Sequence, residues 1–198
     1  MAHIKHTKNE LKAQRDALKR FERYLPTLQL KKQQLQAEVR RIEQETEEIR
    51  NREKDVREKL DAWIALLADP VELDRYLRVE GVDIEEGNIA GVRIPILKEV
   101  RFACETPDLF DTPTWLDDAI EALEKLARLR AEREAMEEAL ENLAAELRTT
   151  NQRVNLFEKV KIPEARENIR VIRIFLGDEM TAAVARSKIA KGKSTHAA

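Results

Sequence analysis

Residues 151–172 read NQRVNLFEKVKIPEARENIRVI, with Pro163 inside a stretch that is otherwise helical in pattern. A proline in a helix interior removes one backbone hydrogen bond and presses its ring on the preceding turn, a penalty of about 3 kcal/mol. Such a residue usually marks a helix end. Here no other stop signal accompanies it, and apolar residues recur every seven positions on both sides. Leu126, Arg133, Leu140, Leu147 and Val154 form one register, and Leu129, Met136, Leu143, Thr150 and Phe157 lie three residues on. From Ile162, just before the proline, Ile169, Leu176 and Ala183 keep the period beyond it. The pattern predicts one long helix over about 114–190 that crosses its proline with a bend. Thr114 is the expected N-cap, and Asp117 and Asp118 fall in the first turn, where the helix dipole favours acids. Leu116, Ile120 and Leu123 are offset from the later frame, as a stutter would be.

A sustained repeat of seven implies a partner helix and a left-handed supercoil. The N-terminal part supplies one, over about residues 4–68. Ile4, Leu11, Leu18 and Leu25 form one series; Leu28, Leu35, Ile42, Ile49, Val56 and Trp63 form another in the same frame. Val39 and Leu60 fit the companion positions, but Lys32, Thr46 and Glu53 do not. A seam with charged entries tolerates sliding and bending. The expected seam is Leu11, Leu18, Leu25, Leu28, Leu35, Ile42 and Ile49 on the first helix, with Leu140, Leu147, Val154, Ile169 and Leu176 on the second.

The segment between the helices is of another kind. Pro70, Pro95, Pro107 and Pro113 are four of the chain's 6 prolines, and Gly81, Gly87 and Gly91 are three of its 5 glycines. Residues 78–102, RVEGVDIEEGNIAGVRIPILKEVRF, alternate in the manner of two short strands: Val79, Val82 and Ile84, then Val92, Ile94 and Ile96. EEGNIAG supplies the turn. Pro95 belongs at an edge or bulge, because it has no N–H for a ladder. A lone hairpin is marginal in water, so this one is expected to lean on a helix or a partner. The organisation predicted is mainly α: a coiled-coil helix in 1–68, an inserted hairpin and connector in 69–113, a second coiled-coil helix in 114–190, and a loose tail in 191–198. Folded back as an antiparallel pair, the helices would make a rod with the hairpin region at one end and both termini at the other.

Composition narrows function. Among 198 residues, 37% are charged and only 5% aromatic, which suits long solvated helices. Lys and Arg number 36 against 38 Asp and Glu, so the chain is no general polyanion binder and nucleic acid is not an expected partner. Charge is nevertheless uneven. Residues 1–20 carry Lys5, Lys8, Lys12, Arg15, Lys19 and Arg20 against Glu10 and Asp16, a balance of +4. Arg186, Lys188, Lys191 and Lys193 make 184–198 another +4, which leaves −10 on the remainder of a chain whose total is −2. Antiparallel pairing would join the two basic segments into one tip suited to a socket of opposite charge. Facing positions would also place Pro26 within two turns of Pro163, so that both helices bend in one neighbourhood, with two independent tolerated kinks as the alternative.

No catalytic constellation emerges. Cys104 is alone, so an intramolecular disulfide is excluded; a small apolar filler is the expected role, a reactive thiol the alternative. His3 and His6 share a helical face without further ligands, His196 sits in the tail, and neither a phosphate loop nor a nucleophile–histidine layout is present. No apolar run is long enough for a membrane span and no signal-peptide core is found, so a soluble intracellular chain without membrane insertion is expected.

Taken together, three stretches resemble one family. RVNLFEKVKIP, with Arg153, Val154, Asn155, Glu158, Ile162 and Pro163, is similar to the RVNALE…IP signature of the D-subunit family of rotary V-type and A-type ATPases. Ile169, Ile172 and Leu176 continue it. TKNELKAQRDALK, followed by Leu28, Lys31, Lys32 and Leu35, is similar to that family's N-terminal helix, and GVRIP (Gly91–Pro95) to the second strand of its hairpin. Gln29 and Gln33 stand where the family has a lysine and an aspartate, Pro26 is unusual, and GDEMTAAV replaces a more charged stretch. The resemblance implies a non-catalytic rotor shaft with no cofactor, cytoplasmic and peripheral to the membrane. Its termini would enter the ring of catalytic A and non-catalytic B subunits, with Lys5, Lys8, Lys12, Arg15, Arg186, Lys188 and Lys191 as contacts. Its hairpin end, through Val82, Ile84, Gly91, Val92, Ile94 and Pro95, would meet the F subunit of the stalk and the funnel-shaped d/C subunit above the membrane rotor. A coiled-coil scaffold or tether without a rotary role is the alternative, separable by stoichiometry. A membrane-curvature binder is disfavoured by the acidic body.

Overall fold

The structure, a computed structural model, describes residues 4–61, 73–105, 107 and 112–196, without the side chains of 192–196. Met1, His3, Trp63, Pro70 and Ala198, and the side chains of Lys193 and His196, therefore lie outside the described residues, and with them the expected meeting of the termini. In chain order the elements are α1 (Lys8–Asp61), α2 (Leu73–Tyr76), β1 (Arg78–Ile89), β2 (Val92–Ala103), α3 (Leu116–Leu156), a π-helical turn (Phe157–Lys161) and α4 (Ile162–His196). The chain divides into two compact units, Met1–Lys32 with Thr149–Ala198, and Gln33–Arg148.

In the first unit, α1 opens after Thr7, whose hydroxyl accepts the Glu10 N–H at 3.2 Å. The threonine and the glutamate three residues on form the sequence pattern of a capping box. Pro26 stays inside α1, and nearby the Thr27 hydroxyl donates to the Tyr24 carbonyl at 2.8 Å. α1 runs antiparallel to the π turn and α4. Gln14 Oε1 accepts from Asn168 at 3.4 Å, Glu22 pairs with Arg166 at 2.9 Å, and Phe21 stacks on Phe157 with ring centroids 5.3 Å apart. Val154, Ile162, Ala165, Ile169 and Ile172 are buried along this line.

The proline is crossed, but the register is not continuous. Val154 and Ile162 are separated by one residue more than a heptad. The π turn takes up that residue: the Ile162 N–H reaches the Phe157 carbonyl, five positions back. Pro163 follows at once, directly after the widened turn.

In the second unit, α1 packs on α3. Leu35, Ile42, Ala139, Leu143 and Ile94 form one buried cluster, lined by Val39, Ile89, Val92, Met136, Leu140 and Leu147. Ile49, Val56, Leu60 and Leu129 form a second. α3 begins at Leu116, with Asp117 and Asp118 in its first turn; Thr114, expected as N-cap, lies in the preceding turn, and the Leu116 N–H bonds the Pro113 carbonyl at 3.1 Å.

The strands are not short. Each has twelve residues, paired antiparallel with register shifts at Val79/Gly81 and Asp83/Ile84. The turn is a two-residue loop in which Ala90 (φ 52°) and Gly91 (φ 83°) both adopt the left-handed region, and the Asn88 side chain accepts the Gly91 N–H at 2.9 Å. Such mirror-image turns match the right-handed twist of the strands. Pro95 faces Glu86 in the ladder, where a two-stranded sheet leaves each strand a free edge. The hairpin leans on helices of its own unit: Ile94 is buried among Leu35, Ile42, Ala139 and Leu143, which is worth roughly 2–3 kcal/mol for one side chain. A groove of about 300 Å³ remains between Ile42, Ala135 and Met136 on the helices and Ile89, Ile94 and Pro95 on the hairpin.

The second-helix region also departs from expectation at its end. α4 continues to His196, where a loose tail was expected from 191.

Candidate functional site

The candidate surface is the last third of α4. From Gly177 to Lys191 every residue is exposed, including Met180, Val184 and Ile189 at 60%, 56% and 61%. The cause is register. The His6 ring meets Phe175 with centroids 4.8 Å apart, so α4 passes beyond the level at which α1 starts. Val171, Ile174 and Phe175 are also exposed, outside the buried line.

Lys5, Lys8, Lys12 and Arg15 are all exposed near the start of α1, and Arg186, Lys188 and Lys191 on α4. The two basic groups do not lie side by side as the charge reading expected. Arg186 is eleven residues beyond Phe175, about 16 Å further along the helix. The basic charge is therefore spread along α4 past the paired region, because α4 outruns its partner.

The expected seam residues are distributed as follows. Leu35, Ile42, Ile49, Val154 and Ile169 are buried; Leu11, Leu18, Leu25, Leu28, Leu140, Leu147 and Leu176 are half-buried. Of the motif residues, Val154 is buried, whereas Arg153, Asn155, Glu158 and Pro163 are exposed. The motif thus brackets the π turn, Val154 anchoring one side and Ile162 the other.

The hairpin residues separate into two groups. Val82 and Ile84 are exposed (42% and 53%) and Gly91 is at the exposed turn, while Val92 and Pro95 are half-buried. Ile94 is corrected as a partner contact: at 7% exposure its side chain is used inside the chain. Alternation alone did not reveal which face looked inward. Ala135 and Ala139, buried where the hairpin approaches α3, are the small residues that could have shown it.

Charge in the second unit is organised across the helices. Arg133 donates to Glu53 and to Glu137, each at 2.9 Å, and Arg50 donates to Glu137 at 2.9 Å. Hydrogen bonds from Arg50 and Arg133 hold the Glu137 carboxyl below its ordinary value, and Glu137, then Glu53, raise Arg133. Glu53 and Arg133 are both charged entries in the seam pattern, and they answer each other.

Cys104 is exposed and not packed as filler; partial desolvation and then Glu124, 3.5 Å away, push its thiol up. That is the wrong direction for a nucleophile. Among the described residues no cluster of three or more His, Cys, Asp or Glu has metal-binding geometry, and no helix is long and apolar enough to cross a membrane.

A model of the ATP synthase D-subunit family matches residues 10–192. The chain belongs to this family. The D subunit of the V-type ATP synthase of Borreliella burgdorferi is 46% identical over 192 residues, covering 96% of this chain and 95% of that protein. The same-named protein of Chlamydia pneumoniae is 36% identical over 193 residues (96% and 92%), and that of Chlamydia muridarum 37% over 193 (96% and 95%). As a member of the D-subunit family, the chain is a component of a V-type rotary ATPase.

Proposed function

We propose that this chain is the non-catalytic central shaft of a V/A-type ATPase, carrying torque between the nucleotide-processing head and the ion-translocating rotor of the membrane. The observation that carries the reading is the exposed end of α4, helical and both apolar and basic over 177–191. A helix with Met180, Val184 and Ile189 uncovered is suited to a cavity in another protein. The proposed cavity is that of the ring of A and B subunits. Lys5, Lys8, Lys12 and Arg15 would follow at the mouth, and Arg186, Lys188 and Lys191 deeper in. Val82 and Ile84 on the hairpin are the proposed contacts toward the F subunit and the funnel-shaped d/C subunit, on the cytoplasmic side of the membrane.

The mechanism requires an axle that is not round. A ring site changes state only if the axle offers it contacts that differ from those offered to its neighbours. α4 and α1 differ here in length, in charge and in exposed apolar surface, so each rotational position would present another face. The chain itself would bind no nucleotide and break no bond. Native mass measurement of the complex copurified with a tagged chain tests the reading. One copy per hexameric head is expected; several copies, or self-association without a head, would favour a tether.

A further inference from the structure

The spacing of buried positions in the first unit breaks once. Val154 closes the upstream series; Ile162, Ala165, Ile169 and Ile172 continue it one residue late. In an uninterrupted α-helix, one extra residue would rotate every later position by about 100° and carry the stripe away from α1. The turn Phe157–Lys161 instead widens to i→i−5 bonding at Ile162 and brings Ile162, Ala165, Ile169 and Ile172 back to α1. Pro163 has the complementary need. In a closed α turn its ring would meet the carbonyl of Lys159, and a widened turn displaces that carbonyl.

We propose that the extra residue and Pro163 are a compensating pair: the phase step creates the π turn, and the proline fixes it at residues 157–161. Each would be a defect alone. With the proline present, the wide turn has one place to sit, so a continuous helix carries one stripe on both sides of the step. This goes beyond the shaft reading and does not rest on it.

The two are separated by deleting Lys159, which is exposed, from the full chain with and without Pro163→Ala. Thermal unfolding followed by circular dichroism is the readout, with a disulfide between Gln14→Cys and Asn168→Cys, in a Cys104→Ser background, reporting phase. Deletion with the proline present is expected to lower the midpoint by more than about 5 °C, because the ring then meets a closed turn. In the Pro163→Ala background the same deletion should leave the midpoint within about 2 °C or raise it, since the stripe is then in phase without a π turn. Cross-linking should persist in that double variant. Equal losses in both backgrounds, or a harmless deletion beside the proline, would overturn the proposal. If the single deletion does not fold at all, a double variant that folds and cross-links sustains the proposal, and one that does neither overturns it.

Discussion

Arg133 bridges two carboxylates on different helices, and its side chain is only 23% exposed, against 12% for Glu53. Arg133→Ala leaves both acids without it and is expected to lower stability by about 1–2 kcal/mol, as read by urea unfolding. Because Glu137 is held below its ordinary value in the folded protein, its contribution is in place above the ordinary carboxylate pKa. It is lost as pH falls through the lowered value. The midpoint difference between the parent chain and Glu137→Gln should therefore be constant near neutrality and shrink on acidification; a difference that grows would contradict the assignment. At the hairpin turn, Ala90 holds a left-handed conformation that asparagine adopts more readily. Ala90→Asn should stabilise by roughly 0.5–1 kcal/mol, whereas Gly91→Val should cost about 1–2 kcal/mol.

Among the elements, the hairpin depends on its anchor. Ile94→Ala removes the side chain that β2 inserts between α1 and α3, and should cost about 2–4 kcal/mol. Hydrogen exchange at β1 and β2 amides should rise sharply while α4 amides keep their parent rates; uniform loss of protection would show that the hairpin is not a separate anchor. The helices themselves were legible, because period seven survives in Leu35, Ile42, Ile49 and Val154 whatever the surface carries. The hairpin was legible from alternation and from Gly91. Its docking was not, since Val82 and Ile94 look alike in an alternating pattern and only tertiary packing buries one of them. The π turn left a signal, the late arrival of Ile162 after Val154, but a seven-residue period read separately on each side of Pro163 hides a one-residue step. The basic residues were legible as groups; their separation along α4 was not, because it depends on where α1 starts.

At the scale of the whole molecule, family membership rests on 183 matched positions, residues 10–192. The proposed role rests on what the end of α4 offers to another protein. Replacing Met180, Val184 and Ile189 together by serine should leave the helix content of the isolated chain nearly unchanged. The same replacement should uncouple ATP hydrolysis from ion movement in the reassembled complex. The most direct measurement is rotation. With Arg93→Cys in a Cys104→Ser background, a bead is attached to an exposed hairpin position outside the proposed partner contacts and the head is fixed to glass. The expected result is one-directional rotation of the bead that starts with ATP and stops when it is exhausted. A bead that stays still on heads that are hydrolysing ATP would contradict the shaft.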